Sequence, residues 1–192
     1  MTDKDAFAER GRTLEEDYFR RKEQEVIEKM RRSAALEAQR RKIGEQAGVA
    51  DEEVLRDLQE LGYTPETVML LHLVPLIQTA WAEGSVSDKE RELIVKAARS
   101  RGVVAGSTAD AQLNRWLGQR PSEELFSKTL RAIHAILQAR SPEERAASER
   151  DLLSLSTAIA SASGGIFGLG AVSEDERAIL ARISAQLEGR KA

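Results

Sequence analysis

A six-residue phrase occurs twice in this chain, as Val86-Ser87-Asp88-Lys89-Glu90-Arg91 and as Val172-Ser173-Glu174-Asp175-Glu176-Arg177. In both copies a Ser stands where its hydroxyl can accept from the backbone N–H three residues on. A Glu stands where its carboxylate can reach back to the Ser N–H. That reciprocal arrangement is a capping box, and it opens a helix. The residues that follow also correspond, since Leu93, Ile94 and Ala97 match Ile179, Leu180 and Ile183 at the same offset of 86 residues. An apolar run entering a small-residue or glycine turn precedes each copy. The chain is therefore expected to contain two related helix–turn–helix units, which directs it toward helical folds.

Composition agrees with that direction and narrows function. Aromatic residues make up 4% and charged residues 32% of 192 residues, the balance of a helical protein with long solvated faces. Lys+Arg at 29 against Asp+Glu at 32 gives a net charge of −3, so no global field favours nucleic acid or a membrane surface. Cysteine is absent, which removes disulfides, thiolate metal ligands and thiol nucleophiles. The start, Met1-Thr2-Asp3-Lys4-Asp5, lacks the apolar core of a secretory signal, and cytoplasmic residence is the expectation. The uncharged stretch from Leu152 to Ser173 has the length of a membrane span. Its serines and the run Gly164-Gly165-Ile166-Phe167-Gly168-Leu169-Gly170 instead suit a buried helix ending in a glycine turn.

Residues 1–47 form a distinct segment. Thr13-Leu14-Glu15-Glu16 is a helix-start box, and no proline follows before Gln46, so one long helix is permitted. Acid-before-base pairs at i,i+4 support it: Glu16 with Arg20, Asp17 with Arg21, Glu25 with Lys29, Glu28 with Arg32 and Glu37 with Arg41. Phe19, Val26, Ile27, Met30 and Ala34 fall near one face, but Arg40 and Lys42 interrupt it too soon for a sustained coiled coil. The basic runs Arg20-Arg21-Lys22, Arg31-Arg32 and Arg40-Arg41-Lys42 are diluted by glutamates and have no interleaved aromatics to stack on bases. This segment is expected to be a solvated charged helix that folds back on the domain or protrudes from it, with self-association or partner contact through this arm as the alternative.

Residues 48–192 are densely punctuated. Asp51 starts a short helix that Gly62 stops. Thr64-Pro65 opens the next, which is apolar around most of its circumference through Trp81 and carries a kink at Pro75. Ser107, Ser122 and Ser141 each stand at the start of a further helix, and no run alternates with a period of two. The expected fold is all-α, with about seven helices after the first.

The stretch Leu76-Ile77-Gln78-Thr79-Ala80-Trp81-Ala82-Glu83-Gly84-Ser85-Val86-Ser87-Asp88-Lys89-Glu90 resembles the signature of the TerB-like family, helical domains associated with tellurite resistance and also found beside co-chaperone modules. Ser163-Gly164-Gly165 followed by Val172-Ser173-Glu174-Asp175-Glu176 resembles that family's second unit. The likeness spans about residues 63–188 and omits the N-terminal helix. Glu83 stands where the family's turn usually has Asp. The resemblance implies a helical bundle, a role in stress or metal-ion response, and service as an accessory module without a defined reaction.

Two functions follow as expectations. The first is a non-enzymatic module that binds a protein partner or a second copy. The alternative is a divalent-cation-binding stress protein, with Glu83, Asp88, Glu90, Glu174, Asp175 and Glu176 as candidate ligands if the two helix starts lie together. A membrane-associated scaffold is a further alternative, resting on residues 152–173. The calcium loop of an EF-hand is missing, and the two histidines, His72 and His134, are isolated. No strand or Lys-Ser/Thr pair accompanies the glycine run, which excludes a phosphate loop. No nucleophile and base are spaced for catalysis, so no enzyme is expected.

Overall fold

A computed structural model of the chain describes residues 3–162 and 172–189, with side chains from residue 18 onward. The glycine run at 164–170 lies outside the described residues. Helices α1 (Asp3–Ala47), α2 (Glu52–Glu60), α3 (Val74–Ala80), α4 (Asp88–Ser100), α5 (Thr108–Gly118), α6 (Glu123–Gln138), α7 (Pro142–Ala162) and α8 (Glu174–Leu187) follow in order. Among the described residues there is no strand, and the fold is all-α. No described helix is long and apolar enough to cross a membrane.

The chain divides into two compact units, Met1–Arg41 and Lys42–Ala192, and the division falls inside α1. Helix α1 ends at Ala47, and Ile43 near that end is fully buried in the apolar core of the second unit. In the first unit, Glu28 pairs with Arg32 at 3.4 Å as expected, and Lys22 pairs with Glu25 at 3.0 Å.

The second unit is built around α3, all seven of whose residues are buried. Helices α4, α6, α7 and α8 pack against it, and α2 rests on α6. The segment leading into α3 differs from expectation. Residues 65–67 form a turn, Val68–Leu73 form a 3-10 helix, and Pro75 stands in the first turn of α3 rather than at a kink inside one helix. Proline has no N–H to donate to the carbonyl four residues back. The tighter helix ends there and a new α-helix starts, where the missing donor costs nothing.

Other boundaries follow the expected chemistry. The Asp51 carboxylate accepts from the N–H groups of Glu53 and Val54 at 2.9 and 3.0 Å. Ser107 and Ser122 each accept from the N–H three residues on at 3.1 Å. Gly62 takes φ +83 after α2 and Gly84 takes φ +84 after α3, a region side-chain-bearing residues rarely enter.

Polar ties fix the remaining helices. Lys128 on α6 meets Asp57 at 2.9 Å, Glu124 at 3.1 Å and Glu60 at 3.4 Å. Trp81 donates its indole N–H to the Trp116 carbonyl at 2.9 Å, and the buried Tyr63 hydroxyl bonds the Thr129 hydroxyl at 3.0 Å. Asp110 on α5 accepts from Arg99 at 2.7 Å and from the Gly106 N–H at 2.8 Å. That clamp closes the turn between α4 and α5.

Candidate functional site

Both repeated phrases form complete capping boxes. The Ser87 N–H donates to Glu90 Oε2 at 2.8 Å, and the Glu90 N–H donates to Ser87 Oγ at 3.3 Å. The Ser87 hydroxyl adds a bond to the same Oε2 at 2.7 Å. In the second copy the Ser173 N–H donates to Glu176 Oε2 at 2.7 Å, and the Glu176 N–H to Ser173 Oγ at 3.2 Å. A third box at the start of α7 has the same bonds, between Ser141 and Glu144 at 3.2 and 3.3 Å.

Burial separates the three. Glu144 is exposed, whereas Glu90 is 2% and Glu176 1% exposed. The two buried carboxylates also lie within electrostatic reach of one another. Burial raises the Glu90 carboxyl above its ordinary range, the Ser87 bonds oppose the rise, and the charges of Glu176 and Glu83 add to it. Like charges in a poorly solvated place repel, so the Glu176 carboxylate disfavours the charge of Glu90. The Glu176 charge thus acts on a helix start distant from it in sequence.

The structure does not bring the six candidate ligands together as one set. Asp88, Glu174 and Asp175 are exposed first-turn residues, where acids complement the helix dipole. Glu83 is also exposed, while Glu90 and Glu176 are committed to their serines. Among the described residues no group of three or more His, Asp or Glu side chains is placed to hold a metal ion. The histidines stand apart. Burial lowers the affinity of His72 for a proton, with Arg140 and Arg101 adding to the effect, and His134 Nδ1 bonds the Leu187 carbonyl at 2.7 Å.

Sequence reasoning did not find a second feature, an apolar groove of about 300 Å³ between α3, α4 and α7. Leu76, Leu93, Ala97 and Ile159 supply its apolar lining, and Lys96 and Arg101 its charge. Leu93 is 37% exposed, although Ile94 beside it is fully buried. Arg101 is held by Asp151 at 3.1 Å, while Lys96 has no ion pair among the described residues. The spacing of Leu93, Lys96, Ala97 and Ser100 on one helical face was the signal available in the sequence. What it could not disclose is that α7 leaves this face partly uncovered.

The groove is suited to apolar side chains. Its walls present methyl and methylene groups with a cationic edge, the surface that an amphipathic helix with an acidic flank would cover. No family model, no curated protein and no solved structure matches the chain.

Proposed function

We propose that this chain is a TerB-like, non-enzymatic helical module that acts by binding a protein partner, with the groove between α3, α4 and α7 as the docking surface. The groove carries the reading. It is apolar, holds a half-exposed leucine and places Lys96 at its edge, and such recesses accept the apolar face of a helix through anchors at i, i+3, i+4 and i+7. The resemblance of residues 76–90 to the TerB-like signature supports a module of that kind. The buried glutamates fit a structural role, since Glu90 spends its carboxylate on two donors from Ser87.

The test is a fluorescence-anisotropy titration of the full-length protein with synthetic amphipathic helical peptides carrying leucine or phenylalanine at those spacings. Scrambled peptides of equal composition serve as controls, and Leu93→Asp as the groove variant. Saturable binding of the ordered peptides, lost in the variant and absent for the scrambled ones, is expected. Equal binding by parent and variant, or none, would overturn the reading.

A further inference from the structure

We propose that the occupant of the groove is the α1 stripe of a second copy of this chain, with Glu23 of one copy set against Lys96 of the other. This rests on the groove being a docking surface and names what docks there.

The first argument is the distribution of exposed apolar surface. Among the described residues, the large apolar side chains left in solvent are Tyr18, Phe19, Val26, Ile27, Met30 and Leu36, all on α1, together with Leu93 and Val104. Phe19 is 67% and Met30 66% exposed. Successive residues advance by about 100°, so Phe19, Val26 and Met30 share an arc of about 40° over a rise of about 17 Å. Such a stripe on a helix without an apolar core is one half of an interface. The groove is a recess of matching chemistry, and about 300 Å³ takes one or two side chains of this size.

Charge makes the fit specific. Glu23, between Phe19 and Val26 in sequence, flanks that arc at about 20° beyond Met30, and its side chain has no hydrogen bond or ion pair among the described residues. Neighbouring charges on α1 are already engaged, Lys22 with Glu25 and Glu28 with Arg32. On the groove side both charged lining residues are cationic, and Lys96 is the one without an ion pair. Docking the stripe would remove Glu23 from water, which costs free energy unless a cation meets it. Lys96 supplies that cation. A stripe with an unpaired acid and a groove with an unpaired base are complementary in shape class and in sign.

The experiment is sedimentation equilibrium of full-length protein over a wide concentration range. The parent should self-associate. Glu23→Lys and Lys96→Glu each place like charges at every contact and should weaken association about tenfold or more. An equimolar mixture of the two variants should recover it, because every stripe then faces a groove of opposite charge. Phe19→Asp and Leu93→Asp should abolish association, and all four positions are exposed, so circular dichroism should show unchanged helix content. A monomeric parent, association indifferent to the charge reversals, or a mixture that fails to recover overturns the proposal. Since the chain has no cysteine, Glu23→Cys and Lys96→Cys proteins mixed under mild oxidation should form the intermolecular disulfide. A disulfide formed only within one chain of the double variant would make the stripe's own groove its seat and overturn the proposal. Helical peptides that bind the groove while the chain stays monomeric would defeat self-docking alone, whereas failure of both would defeat the partner-binding reading as well.

Discussion

Replacing Glu90 by Gln separates the two things its carboxylate does. As an acceptor it receives the Ser87 N–H at 2.8 Å and the Ser87 hydroxyl at 2.7 Å. As a charge it is buried beside the charges of Glu176 and Glu83. Glu90→Ala removes both roles and leaves partly buried donors without a partner, which costs about 1–3 kcal/mol. Glu90→Gln keeps an oxygen at the same reach, as glutamine does in natural capping boxes, and removes the repulsion. Its stability at neutral pH should lie within about 0.5 kcal/mol of the parent or above it. The pH dependence has a definite sign. A carboxyl raised above its ordinary value of 4.5 binds its proton more tightly in the folded state. Its contribution to stability is therefore present below that value and is lost as pH rises through the folded one. The advantage of Gln over Glu should be largest near neutrality and shrink in acid. Urea unfolding at both pH values measures this, and a cycle with Glu176→Gln should give a coupling of about 0.5–1 kcal/mol, the second substitution gaining less than the first. A glutamine variant as unstable as alanine, or strict additivity in the cycle, would refute the reasoning.

The remaining predictions concern packing and one ion pair. Gly44→Ala would put a Cβ 2.7 Å from the Val49 carbonyl oxygen and 3.2 Å from Leu55 Cδ1, and should cost about 1–3 kcal/mol in chemical denaturation despite alanine's better helix propensity. Asp110 is held below its ordinary value of 3.8 by the Gly106 N–H and Arg99, so its contribution is present above that value and lost as pH falls through the folded one. Asp110→Asn should flatten the acid limb of a plot of Tm against pH. Ser156 is fully buried and its hydroxyl has no hydrogen-bond partner among the described residues, and Ser156→Ala should raise stability by up to about 1 kcal/mol in urea.

Local signals were the most readable. Ser87, Ser107, Ser122, Ser141 and Ser173 all stand at helix starts, and Gly62 and Gly84 take the left-handed backbone that stops or turns the chain. These depend on windows of four or five residues, which the sequence displays directly. Pro75 was readable as an interruption but not as the first turn of a new helix, because that outcome depends on Val68–Leu73 tightening into a 3-10 helix. The candidate site depended on tertiary placement. Glu90, Glu144 and Glu176 occupy the same position in nearly identical phrases, yet only the helices packed around α3 bury two of them. The groove was less legible still, since Leu93 reads as core by periodicity and its exposure is set by the path of α7.

The buried capping boxes also bear on how this chain reaches its fold. Each is satisfied within four residues, so a folding chain can form the starts of α4 and α8 before either helix has found the other. The repulsion between Glu90 and Glu176 belongs to a later moment, when docking strips water from both. Helix nucleation is thus left unburdened and the electrostatic cost falls on consolidation. Neutralising the pair should consequently lengthen the lifetime of the folded molecule, by slowing escape from it, while the speed of collapse stays almost the same.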